Sequence, residues 1–238
     1  MKGLKGDEIQ NTVAEKLKNF GKPVVYMDEF IYGENNTVFD YTELANETAE
    51  HLAYVHGVKT AAYVDGHDPS EYFECLRKNF LDAMGQNGIS VPEGLDFFGK
   101  DLKGDFSGIA DKIIDRGLPD AVLCCSNYSA AALIGEFSRR NIRVPEDVIV
   151  VGSCSGEPYD TNLNISSVRR DPTKIAANAA RKIISAINGT QFVPYDGVSC
   201  RFESGFSCGC SHIDLQSLSK TVMNEMTPHS SNELTPKS

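Results

Sequence analysis

LPDAVLCCSNYSAAALIGEFSRRNIRVPEDVIVVG, residues 118–152, is the stretch that decides the fold. Ala121-Val122-Leu123-Cys124-Cys125 is apolar at every position. A strand reads that way when both of its faces are covered, whereas a half-exposed strand alternates. Leu133, Ile134 and Phe137 recur at helical spacing, and Val148-Ile149-Val150-Val151 is a second unbroken apolar strand. Strand, helix and strand in this order make a parallel βα unit, because parallel neighbours need a long crossover.

The same rhythm runs upstream. Thr60–Val64 reads as a strand closed by Gly66, and Asp68-Pro69-Ser70-Glu71 as a helix start with Asp as cap and Pro at the first position. That helix turns Phe73, Leu76, Phe80, Leu81 and Met84 inward and stops at Asn87-Gly88. Leu95–Phe98 is a short strand, and Ile109, Ile113 and Ile114 mark a helix ended by Gly117. Earlier still come a helix over residues 7–20, a strand at Pro23–Met27 ending in Asp28, a strand at Thr37–Phe39, and a helix over residues 42–56. Downstream, residues 153–164 are polar and loop-like, Ile165–Val168 is a strand, and Asp171-Pro172 opens a helix through Ile187. Val198–Phe202 is the last strand. Residues 211–238 form a tail with one weak amphipathic series, then a Ser-, Thr- and Pro-rich end that reads as disordered.

The fold class is therefore α/β with parallel sheets, one complete lobe and a second, truncated one. The strands between Thr60 and Val151 complete one doubly wound layer. Pro23–Met27 and Ile165–Val168 are left for a second, marginal one, which reads as a lobe lacking its opening βα units. Such a lobe exposes apolar sheet edges, and weak stability or aggregation follows as an expectation.

Composition narrows the function. The chain has 238 residues, 41% of them hydrophobic, and a net charge of −10. An acidic surface repels phosphate backbones, so direct nucleic-acid binding is disfavoured. No segment reaches the roughly 18 apolar residues of a membrane span, and residues 1–8 carry no apolar leader, so the reading is cytoplasmic with no membrane partner. In that compartment the seven cysteines read as free, mostly buried thiols.

Candidate chemistry is sparse. Gly152-Ser153-Cys154-Ser155-Gly156 follows a strand and fits a G-x-C-x-G nucleophile elbow, but a loop with Pro158 follows instead of a helix, and the downstream histidines, His212 and His229, lie in the tail. Cys208, Cys210 and His212 alternate, yet three such closely spaced residues without a second pair do not match zinc spacing. His51 and His56 share a helix without a partner carboxylate and read as surface or helix-end residues. Phosphate-binding glycine motifs are missing. The expectation is no catalysis, no metal and no cofactor. Polar residues at strand ends, namely Asp28, Gly66 to Asp68, Ser126, Asn127 and Ser153 to Ser155, would converge on a cleft between the lobes.

The stretches 118–124 and 141–152, Ile165-Ser166-Ser167-Val168-Arg169-Arg170-Asp171-Pro172, Lys22–Asp28 and Glu203–Cys210 together resemble the sensor domain of LacI/GalR-type bacterial transcriptional regulators. The resemblance runs in order from about Gly21 to Cys210. It implies a periplasmic-binding-protein type I fold of two Rossmann-like lobes, the first truncated, with residues 1–39 and 153–189 in one lobe and 40–152 and 190–210 in the other. It implies a small polar, sugar-like effector in the cleft and a homodimer, with DNA reached only through a helix-turn-helix segment absent from this chain. The implied ligand-binding residues are Asp28, Ser126, Asn127, Cys154 and Arg170. This chain departs from the family pattern in having Ser126-Asn127 and Cys154-Ser155 where Asn-Asp and Asp-Asp are frequent, and Leu76 where an arginine is frequent, with Arg77 one position off. These replacements remove the usual clamp on sugar hydroxyls. The cysteine-bearing end also resembles sensor modules fused to diguanylate cyclases, and a sugar-binding transport protein is a further alternative.

Overall fold

The computed structural model describes residues 15–17, 19, 21–27, 35–66, 71–99, 104–154, 164–190 and 197–210. The helix predicted over residues 7–20 falls almost wholly outside these, as do Asp28 and the tail.

Strand β1 is Tyr26–Met27 and β2 is Asn36–Asp40. Asp40 ends β2 and caps helix α1, Tyr41–Glu50, by accepting from the Thr42 and Glu43 N–H groups at 3.0 and 3.4 Å. A π-helical turn, His51–Val55, continues α1. Then come β3 (Ala61–Asp65), α2 (Glu71–Gln86), β4 (Asp96–Phe98), α3 (Phe106–Asp115), β5 (Ala121–Cys124), α4 (Asn127–Arg139) and β6 (Ile149–Cys154). The chain continues through β7 (Ser167–Arg169), α5 (Pro172–Ile187), β8 (Gly197–Ser199), β9 (Arg201–Glu203) and a 3-10 turn, Phe206–Cys208.

Two sheets result. The larger has the order β4-β3-β5-β6-β7-β9, parallel except for β9, which runs antiparallel to β7. The smaller is β1-β2-β8, all parallel. Alternation along the central strands feeds two separate cores. Ala61, Tyr63, Leu123 and Val151 join Leu44, Leu52 and Met84 on one face. Ala62, Val64, Val122 and Val150 join Ile109, Ile113, Leu133 and Phe137 on the other. This double cover is why those strands are apolar throughout.

Two expectations need correcting. Ile165–Val168 was assigned to the second lobe, but β7 pairs with β6, Gly152 opposite Ser167, and so belongs to the larger sheet. The chain therefore does not leave that sheet at Gly152–Ser153. It leaves between Arg169 and Pro172, after which α5 packs on β1 and β2. Strand length cannot reveal this, because the partner is chosen by tertiary pairing. The last strand predicted, Val198–Phe202, is in fact two: β8 lies in the smaller sheet and β9 in the larger, with only Cys200 between them. At Asp40 the chain passes from β2 in the smaller sheet to α1, which packs on α2.

Candidate functional site

The carboxyl ends of β3, β5, β6 and β7 all point the same way, and a narrow pocket of about 30 Å³ opens over them. In a parallel sheet this is where ligands bind, because the loops there diverge and leave a crevice. Tyr63, Leu123, Ser153 and Val168 line it from the strands, Tyr41 from the start of α1 and Phe80 from α2. The lining is aromatic and aliphatic, with few polar groups.

Those polar groups are placed by specific contacts. The Tyr63 hydroxyl donates to Asp65 Oδ2 at 3.2 Å, and Asp65 is fully buried. Burial, with the Asp65 carboxylate next to it, pushes the Tyr63 phenol well above its usual range, so it stays a donor. Burial and the same carboxylate hold the Cys125 thiol at about 12, protonated and non-nucleophilic. Arg170, just past β7, donates from Nη1 to the Tyr41 hydroxyl at 3.3 Å, tying the segment that enters α5 to the helix that leaves β2.

The residues implied by resemblance are distributed unevenly. Arg170 meets the pocket through Tyr41. Ser126 caps α4, its Oγ accepting from the Ser129 N–H at 3.1 Å. Asn127 is 1% exposed and lies against β6, where a Cβ on Gly152 would come within 2.2 Å of its Oδ1. That oxygen has no hydrogen-bond partner among the described residues. Cys154 ends β6, its side chain outside the description, and Asp28 lies outside it entirely.

The displaced arginine has another employment. Arg77 donates from Nε to Asp96 Oδ1 at 2.9 Å, forms a second contact to Asp96 Oδ2, and lies over the Phe98 ring 5.5 Å from its centroid. Leu76 lines the pocket in its place. Sequence reading missed Tyr41, Tyr63, Asp65 and Cys125; only the position of Asp65 at a strand end could have signalled one of them. It also missed that His51 and His56 face Cys208 and Cys210, while His212 lies outside the described residues.

A family described as "Periplasmic binding protein-like domain" matches residues 49–201. The chain belongs to this family. Its likeness to LacI/GalR-type sensor domains stands on that match together with the regulators it resembles. The HTH-type transcriptional repressor PurR of Pasteurella multocida is 25% identical over 186 residues, covering 72% of this chain and 53% of the repressor. The glycine–tRNA ligase beta subunit of Helicobacter pylori is 26% identical over 158 residues, covering 66% of this chain but 21% of that subunit. The chain thus spans about half the length of the repressor and a fifth of the ligase subunit. Among solved structures, a LacI family transcriptional regulator from Enterococcus faecium with bound ribose shares the fold, with a TM-score of 0.68 at 17% identity, over 85% of this chain and 76% of that one. No helix among the described residues is long and apolar enough to cross a membrane.

Proposed function

We propose that this chain is the effector-binding domain of a LacI/GalR-type transcriptional regulator, acting without catalysis in the cytoplasm as a homodimer. Its effector is a small polar, sugar-like molecule seated over the strand ends. One observation carries the reading: the Arg170–Tyr41 contact brings together, at the mouth of an aromatic pocket, two chain segments that run between the sheets. A ligand touching both segments binds one relative setting of the sheets better than another, and that difference is what a sensor reports.

The pocket chemistry supports a ring with apolar faces and a hydroxyl rim. Tyr41, Tyr63 and Phe80 offer flat surfaces, and the Tyr63 and Tyr41 hydroxyls and Arg170 offer directed hydrogen bonds. With Arg77 held by Asp96, the hydroxyls are recognised without a second guanidinium. Ser126 caps α4 and Asn127 is buried against β6, so Arg170 is the implied residue on which the reading rests.

A thermal-shift screen of monosaccharides, nucleobases and amino acids tests this, since a ligand at about 100 times its Kd adds about 2.7 kcal/mol to the folded state. A sugar that raises Tm in the wild type, and does so at least tenfold less tightly in Tyr63→Ala and Arg170→Ala, is the expected result. Stabilisation by a nucleobase or amino acid alone overturns the sugar-like effector. Binding unaffected by both substitutions overturns the site.

A further inference from the structure

Four side chains far apart in sequence meet beside the π-helical turn: His51, His56, Cys208 and Cys210, whose ligand atoms all lie within 4.8 Å of one another. His51 and His56 approach Nε2 to Nε2 at 3.1 Å. Cys210 Sγ lies 3.6 Å from His51 Nε2 and 3.3 Å from His56 Nε2, and Cys208 Sγ lies 3.7 Å from His51 Nε2.

The backbone explains how they meet. In an α-helix, residues five apart are separated by more than a third of a turn. The π-helical turn at His51–Val55 is wider and brings positions five apart over one another. On the other side, Gly209 adopts φ +86° between the two cysteines, a left-handed setting that glycine takes without strain. It reverses the chain so that the Cys208 and Cys210 thiols turn to the same side. The Phe202 ring packs on His51, centroids 4.5 Å apart, and excludes water from one flank.

We propose that His51, His56, Cys208 and Cys210 bind one zinc-class divalent ion in a closed tetrahedral site. Ions of this class bond imidazole nitrogen at about 2.0–2.1 Å and thiolate sulfur at about 2.3 Å, which makes the tetrahedral edges about 3.3 Å between nitrogens and about 3.6 Å between nitrogen and sulfur. Four of the six spacings, at 3.1, 3.3, 3.6 and 3.7 Å, fall around those edges, and the other two stay within 4.8 Å. Two sulfurs and two imidazoles without a carboxylate exclude magnesium and calcium. With all four positions protein-filled, the ion's task is structural: it fastens the end of α1 to the turn after β9, close to where the chain passes from the smaller sheet to the larger at Cys200. Binding releases the two thiol protons to solvent, while both imidazoles bind neutral through Nε2.

The test uses the whole chain under reducing conditions, with zinc titrated against a chromophoric chelator and cobalt as a spectroscopic probe. One ion per chain, a cobalt–thiolate spectrum of tetrahedral type, and a Tm raised by zinc and lowered by chelator are expected. His56→Ala and Cys210→Ser, both at accessible positions, should weaken zinc by more than the roughly 10–100-fold that outer-shell changes cost. Cys75→Ser and His212→Ala should leave it unchanged. Unaltered affinity in His56→Ala and Cys210→Ser, loss on His212→Ala, an octahedral cobalt spectrum, or a Cys208–Cys210 disulfide in place of metal would each overturn the site.

Discussion

The two sheets are built on opposite economies. The larger is covered on both faces by fully buried aliphatic and aromatic side chains, among them Phe137, Leu133, Ile113 and Leu52, all at 0% exposure. The smaller has three strands among the described residues, and α5 buries polar Asn178 and Lys182 beside apolar Ile175 and Ala179. There the buried Asn178 donates from Nδ2 to Thr37 Oγ1 at 3.2 Å, and the buried Lys182 ammonium donates to the Asn36 carbonyl. Apolar burial is non-directional and scales with area, whereas a buried polar contact nets little once desolvation is subtracted. The larger sheet is thus a rigid platform for the pocket, and the smaller is the part that can yield. A sensor needs both, since its moving element must come from the low-stability end of the molecule.

Truncating the platform should cost most. Phe137→Ala leaves a cavity under α4 and is expected to lose about 3–5 kcal/mol, read as a fall in the denaturation midpoint. Val198→Ala, in β8 of the smaller sheet, should lose about 1–2 kcal/mol. Hydrogen exchange sharpens the contrast: the amides of β5 and β6 should be protected by about 2 kcal/mol more than those of β2 and β8. Equal protection would break it. Gly152→Ala tests how tightly the platform is closed around the site. The new Cβ would meet Asn127 Oδ1 at 2.2 Å and Asn127 Cα at 3.2 Å, so a loss of about 1–3 kcal/mol is expected, with effector binding weakened alongside.

How much of this the sequence disclosed follows from what each residue does. Ala121–Cys124 and Ile149–Val151 were legible because strands covered on both faces leave no other reading of an apolar run. Asp171-Pro172 was legible because cap chemistry is local: Asp171 Oδ1 accepts from the Thr173 and Lys174 N–H groups at 3.0 and 3.2 Å. The sheet that β7 joins was not legible, since Ile165–Val168 carries no mark of its partner. The pocket was half legible. Its place at the strand ends follows from topology, but Tyr63 reads as an ordinary strand tyrosine until Asp65 is seen beside its hydroxyl. Cys208 and Cys210 were judged against the wrong histidine because His51 lies more than 150 residues away. Two histidines five apart with no partner, and a Cys-Gly-Cys with none either, were each half of one signal.

The polar economy of the smaller sheet predicts a modest effect where a core lysine would ordinarily be costly to touch. Lys182→Met removes the donor to the Asn36 carbonyl but also the cost of burying an ammonium, so the two largely offset. A change within about 1 kcal/mol is expected. A loss as large as that of Phe137→Ala would mean that the smaller sheet is held by its polar contacts after all.

The smallest effect concerns acid. Bonds from the Arg143 side chain, from Nε at 2.9 Å and Nη2 at 2.6 Å, together with its backbone N–H at 2.8 Å, hold Asp147 at about 2, below the ordinary 3.8. A carboxylate depressed by folding stabilises the fold above its unfolded pKa, and that contribution drains away as pH falls from near 4 through about 2. Both partners are solvent-exposed, so salt should shrink the effect. Asp147→Asn should flatten the stability curve in that window, lower stability slightly near neutrality and leave it unchanged below about pH 2. Because Asp147 lies two residues before the start of β6, the flattening should register in the unfolding of the larger sheet. Its equal appearance in the exchange of β2 and β8 would mean that the two sheets unfold as one unit, and the contrast between them would be one of chemistry without a difference in stability.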